Sequence, residues 1–101
     1  MIAHVVMWKL KKASDAAHFK SQLDSCRQLV PGMLTFEVAI RTAGFEANCD
    51  VVLYSVFEST AALDAYQNHP QHQRISSGLG ALRETRNVLD YPIPNPSGEP
   101  S

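Results

Sequence analysis

The sequence has few of the features that mark secreted, membrane-spanning or nucleic-acid-binding proteins. Its formal net charge is only −1 and no basic patch stands out, so nucleic acid is not an expected partner. No hydrophobic run approaches the length that spans a bilayer, and the first residues read as a strand rather than as a signal peptide. The two cysteines, Cys26 and Cys49, are too few for a disulfide framework. We therefore expect a cytoplasmic protein without a membrane partner.

The composition is that of one ordinary globular domain. The chain has 101 residues, of which 45% are hydrophobic and 19% are charged. A domain of this size builds only a modest core, and burial of a further apolar face against a partner helps to stabilise it.

Four stretches have the patterns of β-strands, namely residues 2–10, 33–41, 50–57 and 84–91. The second stretch alternates, and its predicted buried face contains Leu34, Phe36, Val38 and Ile40. The first and third stretches are apolar on both faces, so each side of the predicted sheet needs a cover.

The first of two predicted helices covers residues 15–30. Ser14 is its expected N-cap, and Pro31 and Gly32 are expected to end it. Its apolar stripe contains Ala16, Phe19, Leu23, Cys26 and Val30.

The second helix is predicted to begin after Ser59 as N-cap and to end at Pro70. Pro70 can also be the first residue of a short new turn that runs to Ser77, because proline is well tolerated at that position. Gly78 and Gly80 are expected to loosen the chain that follows.

The resulting order is β-α-β-β-α-β, the split βαβ arrangement of an α+β, ferredoxin-like fold. It predicts a four-stranded antiparallel sheet with both helices on one face. A second copy of the chain is the simplest cover for the other face, which predicts a homodimer of the dimeric α/β-barrel type. The domain is expected to span residues 1–92. Residues 93–101 are expected to form a tail, since four of the six prolines lie in the final ten residues.

Five segments together resemble the stress-responsive dimeric α/β-barrel (Dabb) family: HVVMWKLK, LVPGM, YSVFES, AYQNHPQH and VLDY. They occur in order over about residues 2–92, and the HPxH element, residues 69–72, is the most specific of them. The resemblance implies two subunits whose sheets pack into a barrel, and it implies no cofactor. The family contains plant stress-induced and antimicrobial proteins, a plant polyketide cyclase and many bacterial proteins of unknown role, so it leaves the function open.

The polyketide cyclase of this family closes a linear chain by an intramolecular aldol condensation, and resemblance to it implies catalytic roles for Tyr66 and His72. It also implies a ligand-binding pocket lined by His4, Val6, Trp8, Phe19, Leu23, Phe36, His69 and Ile75. Where that enzyme has apolar or small residues, this chain has Lys20, Ser76 and Arg86, and Trp8 replaces a smaller leucine.

Tyr66 and His72 allow two interpretations. A neutral imidazole can remove a proton from a carbon next to a carbonyl group, and a tyrosine hydroxyl can donate a hydrogen bond to the enolate oxygen that develops. Alternatively, His72 packs under the turn, with its ring nitrogens bonded to the backbone or to Tyr66.

Three further candidates have structural alternatives. His4, His69 and His72 lack an acidic or cysteine partner nearby in sequence, so no metal site is predicted and a structural role is expected for His69. Trp8 is either a core filler or a pocket wall. Arg86 shares a strand face with Val88; it can bind a carboxylate if that face points inward, or it is exposed at the sheet edge.

Two hypotheses about function follow. The protein is either a non-catalytic barrel domain that binds a small hydrophobic molecule, or an enzyme, cyclase-like or otherwise, that acts on a small carbonyl compound. In the second case His72 is the base and Tyr66 the oxyanion donor. An enclosed cavity between the second helix and the sheet, reached by both side chains, distinguishes the two.

Overall fold

The computed structural model of the protein describes residues 1–94, which form a four-stranded antiparallel sheet with helices on one face. The elements are β1 (Ile2–Leu10), a 3₁₀ turn (Ala13–Asp15), α1 (Ala16–Asp24), β2 (Met33–Ile40), β3 (Val51–Phe57), α2 (Thr60–Gln67), α3 (Pro70–Gly80) and β4 (Arg83–Pro92). The strand order is β2-β3-β1-β4, and every neighbouring pair is antiparallel. The predicted α+β, ferredoxin-like fold is therefore confirmed.

Strand β2 departs from the alternation that its sequence predicts. Phe36 and Val38 are buried as expected, but the side chain of Leu34 is 54% exposed and Ile40 is also exposed. The register shifts between Met33 and Thr35, so Leu34 is an extra residue in a bulge and has no partner on β3. The prediction for Leu34 was wrong because a bulge interrupts the two-residue period of the strand.

Helix α1 is shorter than predicted, ending at Asp24 rather than near residue 30. Gln28 has a φ of 58°, a left-handed conformation that a right-handed helix does not contain. Ser14 lies in the 3₁₀ turn and is not the N-cap, a position that Asp15 occupies without a capping side-chain bond. Cys26 nevertheless packs in the core, because the turn after α1 directs it inward.

Helix α2 begins as the sequence predicts. The Ser59 hydroxyl accepts a hydrogen bond from the Ala62 N–H at 3.2 Å. Gly32, with a φ of 88°, lies against this helix, and a Cβ on it would sit 2.9 Å from the Ala62 Cβ. Glycine at residue 32 therefore allows the loop before β2 to pack directly on α2.

The segment after Pro70 is a full helix rather than a short turn. Pro70 is the first residue of α3, and the His69 Nδ1 atom caps it by accepting from the Gln71 N–H at 3.1 Å. Gly78 and Gly80 lie within α3, so the expected loosening there was wrong. Two glycines lower the intrinsic stability of a helix, and the burial of Leu79 between them compensates for this in α3.

The helices cover only one face of the sheet. Cross-strand neighbours point to the same side, so the register places Val5, Met7, Tyr54, Leu89 and Tyr91 together on the other face. All of these except Val5 are exposed, and Leu89 is 65% exposed. We call this the outer sheet face, and its apolar character agrees with the two-sided pattern of strands β1 and β3.

Strand β4 ends at Pro92, where the domain boundary is predicted. The Ile93 N–H still donates to the Met1 carbonyl at 2.9 Å, whereas residues 95–101 of the predicted tail lie outside the described residues. Among the helices of residues 1–94, none has both the length and the apolar character needed to cross a membrane.

Candidate functional site

A small chamber of about 40 Å³ lies between the sheet and helices α2 and α3. Strand β1 contributes three alternate residues to its floor, because His4, Val6 and Trp8 share the face that the helices cover. The predicted pocket residues that line it are His4, Val6, Trp8, Leu23, Tyr66, His72 and Ile75. The structure therefore brings seven of the predicted site residues together around one chamber.

Four other side chains assigned to the pocket do not line it. Phe19 packs behind Trp8, with ring centroids 5.0 Å apart, and Phe36 packs behind Tyr66 at 6.2 Å. His69 caps α3, because its Nδ1 atom accepts a hydrogen bond from the Gln71 N–H. Lys20 pairs with Asp24 one turn along α1, at 2.6 Å. These residues support the wall or the helices, and the prediction that they line the pocket was wrong.

Residues that sequence reasoning missed complete the lining. Leu53 from β3, Leu79 from α3 and Arg83 from β4 all border the chamber. Leu79 and Arg83 were missed because residues 78–83 were interpreted as loose chain rather than as helix and strand. Alternation along β4 places Val88 and Arg86 on its inward face. It does not extend to Arg83, because the register between β1 and β4 shifts between Lys9 and Leu10.

Tyr66 is the most enclosed polar residue of the chamber, with 0% of its surface exposed. Its ring packs on Phe57 at 5.2 Å and on the His72 ring at 4.5 Å. The hydroxyl is buried and has no hydrogen-bond partner among the described residues. Burial raises the pKa of this hydroxyl further above its ordinary value, so it remains a protonated donor at neutral pH.

His72 is half-buried and is positioned by the backbone. Its Nδ1 atom lies 3.2 Å from the Gln67 carbonyl oxygen, which can only accept, so Nδ1 carries the proton and Nε2 keeps a free lone pair. Burial is the largest cause that lowers the pKa of His72, and the positive charge of Arg86 adds to it. The imidazole is therefore neutral at neutral pH, the form that can act as a base.

His4 is held at the opposite end of the floor. Its Nδ1 atom lies 2.5 Å from the Asp90 Oδ1 atom on β4, directly across the strand pair. The Ser55 hydroxyl donates to the His4 carbonyl at 2.8 Å, which fixes the backbone of β1 at this residue. Asp90 was not predicted as a site residue, although it faces His4 once the antiparallel register of β1 and β4 is known.

Trp8 is both a core residue and a wall of the chamber. It is 6% exposed, packs edge-on against Phe19 and belongs to the main apolar cluster. Its indole also borders the chamber next to Val6. The two predicted alternatives are therefore both present, and the bulk of Trp8 limits the chamber to the volume of about three water-sized groups.

A larger open groove of about 430 Å³ lies away from these residues, beside the loop between β2 and β3. It includes Phe45, which is 78% exposed, and Cys49, but none of the residues assigned to the site. The groove has no buried polar group in need of a partner among the described residues. We therefore assign the candidate site to the smaller chamber, where buried polar groups converge.

The chamber thus has a neutral imidazole beside a protonated phenol, in a lining of mixed polar and apolar side chains. These groups can bind a carbonyl or hydroxyl oxygen, and they can move a proton to or from it. The histidines do not form a metal site in residues 1–94, since no group of three or more His, Cys, Asp or Glu side chains is arranged to hold an ion.

Several solved structures have the same fold. A dimeric ferredoxin-like protein of unknown function from Jannaschia sp. CCS1 is 27% identical, with a TM-score of 0.75 over 91% of this chain and 98% of that one. A Dabb family protein with a ferredoxin-like fold from Mesorhizobium loti is 22% identical, with a TM-score of 0.75 over 93% and 97% of the two chains. Hydroxynitrile lyase from Passiflora edulis is 16% identical, with a TM-score of 0.75 over 91% and 92%.

Among curated proteins, none matches the sequence significantly. The chain does match the family of the stress responsive A/B barrel domain, abbreviated Dabb, over residues 2–93. This match spans every strand and helix described above. The protein therefore belongs to the stress responsive A/B barrel domain family.

Proposed function

We propose that the protein acts as a homodimer in which each subunit binds a small molecule with an apolar carbon chain in the chamber between the sheet and helices α2 and α3. The binding proposal rests on Tyr66, which borders the chamber and whose buried hydroxyl has no hydrogen-bond partner among the described residues. An unpaired buried hydroxyl costs about 1–3 kcal/mol, and a ligand oxygen that accepts its proton removes this cost.

The homodimer is proposed from the outer sheet face. Exposed Met7, Leu89 and Tyr91 lie beside Tyr54 on a face that no helix of the same chain covers. A contiguous apolar face of this kind marks an interaction site, and a second copy with two-fold symmetry presents the matching surface. Solved relatives from Jannaschia and other bacteria are described as dimeric. The cytoplasmic location expected from the sequence stays a prediction.

The binding proposal is tested with 2-butanone, a short ketone whose carbonyl end can enter the chamber while the rest of the molecule stays at the mouth. Amide resonances of the protein are followed by two-dimensional NMR during a titration. We expect saturable shifts centred on Tyr66 and His72, and about tenfold weaker binding to Tyr66→Phe, because the donated hydrogen bond is lost. Shifts confined to the groove beside the β2–β3 loop would refute the proposal.

A second candidate function, proton transfer on a small carbonyl compound, is favoured by the state of His72. Its lowered pKa keeps the imidazole unprotonated at neutral pH, so the Nε2 lone pair can accept a proton. In this reaction Nε2 takes a proton from the carbon next to the carbonyl group, and the electron pair of that C–H bond moves to form the enolate. The Tyr66 hydroxyl donates a hydrogen bond to the enolate oxygen, and the proton on Nε2 completes the balance.

The size of the chamber restricts the carbonyl compound. A volume of about 40 Å³ does not admit a polyketide chain. The proposed substrate is therefore a short ketone or aldehyde rather than the substrate of the polyketide cyclase. Hydroxynitrile lyase from Passiflora edulis shows that the same fold carries an enzyme.

Deuterium exchange at the α-carbon of 2-butanone in heavy water measures this activity directly. The wild-type protein is expected to accelerate exchange over buffer, and His72→Ala is expected to abolish the acceleration while the protein stays folded. If the ketone binds in the NMR titration but exchanges only at the buffer rate, the proton-transfer proposal is wrong and only the binding proposal remains.

A further inference from the structure

The mouth of the chamber carries an unneutralised positive charge. Arg86 lies directly across the β1–β4 strand pair from Trp8, on the inward face of β4, and its side chain borders the chamber. Arg83, three residues earlier on the same strand, is half-buried and borders it too. From the opposite side, α3 presents the Ser76 hydroxyl, an additional hydrogen-bond donor.

The acidic residues of β4 do not neutralise these two guanidinium groups. Asp90 is held by His4 at 2.5 Å, and Glu84 lies 4.0 Å from the Lys9 amino group. Within residues 1–94, neither Arg83 nor Arg86 forms an ion pair. Two guanidinium groups without a counter-ion, beside a hydroxyl donor, form an anion-binding arrangement, and the planar fork of arginine suits a carboxylate.

The charged mouth favours an anionic group on the ligand, and the interior favours a short carbon chain with an oxygen acceptor. Tyr66 borders the interior, and its buried hydroxyl needs an oxygen acceptor. The interior volume of about 40 Å³ holds about three water-sized groups, which is the room for a short carbon chain.

We propose that the ligand of this chamber is a short-chain carboxylate with a carbonyl or hydroxyl oxygen near its carboxyl group. Arg86 and Arg83 bind the carboxylate at the mouth with the help of Ser76, and the chain enters between Val6 and Ile75. The second oxygen accepts the proton of the Tyr66 hydroxyl. This inference rests on the proposed binding function and adds to it the charge of the ligand and the residues that select it.

Matched probes separate the charge of the ligand from its shape. Butanoate and butanamide differ in charge but hardly in size, and 2-oxobutanoate adds the inner oxygen. Each is titrated into the full-length protein by two-dimensional NMR at constant ionic strength. We expect butanoate to bind at least about tenfold more tightly than butanamide, and 2-oxobutanoate to bind more tightly than butanoate.

Variants assign the selectivity to particular side chains. Arg86→Gln is expected to reduce the preference for butanoate over butanamide to less than about threefold, and Arg83→Gln to reduce it by a smaller factor, while butanamide binds unchanged. Arg74→Gln is the matched control, since Arg74 is exposed on α3 and does not border the chamber. Tyr66→Phe is expected to remove the advantage of 2-oxobutanoate over butanoate and to leave the charge preference intact.

Each outcome decides between the two proposals. Equal affinity for butanoate and butanamide, with shifts at Tyr66 and His72, would overturn the carboxylate inference and leave small-molecule binding standing. An equal loss of the charge preference in Arg74→Gln and Arg86→Gln would overturn it also, because the preference then arises from general surface charge. If 2-butanone and all three probes fail to shift the chamber residues, both proposals are wrong.

Discussion

Replacement of Tyr66 by phenylalanine should make the protein more stable, which is unusual for a residue that is completely buried. The ring is retained with its neighbours, at 5.2 Å from Phe57, 4.5 Å from His72 and 6.2 Å from Phe36. Only the hydroxyl is removed, and that group has no hydrogen-bond partner among the described residues. The substitution therefore relieves a desolvation cost without breaking a contact that stabilises the fold.

The balance of two effects gives the magnitude. A buried donor without a partner costs about 1–3 kcal/mol. The vacated space is about that of one water, 10–15 Å³, which at about 24 cal/mol per Å³ costs about 0.3 kcal/mol. The desolvation term is the larger one, so Tyr66→Phe should stabilise the protein by at least about 0.7 kcal/mol. A gain of 1 kcal/mol corresponds to a rise of about 4–8 °C in Tm for a domain of this size.

Urea unfolding at a fixed protein concentration measures the change, since the stability of a dimer depends on concentration. Ser77→Ala is the comparison, because it removes a hydroxyl oxygen from an exposed residue of α3 that lies outside both the chamber and the outer sheet face. Its free energy of unfolding should change by less than about 0.5 kcal/mol. A loss of 1 kcal/mol or more in Tyr66→Phe would refute the reasoning, because the hydroxyl would then have a stabilising partner in the native protein.

Four further predictions follow from other parts of the molecule. Trp8→Leu should lower the free energy of unfolding by about 1–3 kcal/mol in urea titrations, because it opens a cavity beside Phe19. In NMR titrations the same variant should bind benzoate in the enlarged chamber, whereas the wild-type protein should not. Because the pKa of His72 is lowered in the folded protein, the unfolded chain binds a proton at this residue first as the pH falls. The His72 contribution to the free energy of unfolding is therefore full above about pH 6.5 and declines below it. Unfolding measured at about pH 7.5 and 5.5 should show a smaller decline in His72→Gln than in the wild type. Light scattering at micromolar concentration should report twice the chain mass for the wild type and a single chain mass for Leu89→Glu, and a monomeric wild type would contradict the dimer. Truncation after Pro94 should leave the Tm within a few degrees by calorimetry, whereas a large loss would show that the tail packs on the body.

The sequence predicted the elements of the fold well because their signals are local. The four strands were placed within one or two residues, and the Ser59 cap was identified from one residue type at one position. The errors fall where local signals conflict with tertiary packing. Gln28 turns left-handed inside a stretch with helical spacing, and α3 forms across two glycines because Leu79 is buried beneath it.

The chamber was predicted less completely, for a geometric reason. The inward face of β1 follows from alternation within one strand, so His4, Val6 and Trp8 were identified together. Arg83 and the His4–Asp90 contact depend on the register between strands that are more than 70 residues apart in sequence, which no short-range pattern encodes. Phe19 and Phe36 were assigned to the wall by resemblance to the polyketide cyclase of the family. A sequence alone does not distinguish an apolar residue that borders a site from one a layer behind it.

The proposed carboxylate site lies on a part of the fold where a charged side chain does not disturb the core. Tyr66 is surrounded by aromatic rings, so most substitutions there disturb the core. Arg86 lies on an edge strand at the solvent side of the same chamber, where a charge is tolerated without burial cost because its outer end stays hydrated. If the carboxylate proposal is correct, a substitution at this edge should change the charge preference for a ligand and leave the positions of the Tyr66 hydroxyl and the His72 imidazole unchanged. Arg83 and Arg86 thus border the chamber from the edge strand, whereas Tyr66 borders it from within the aromatic core.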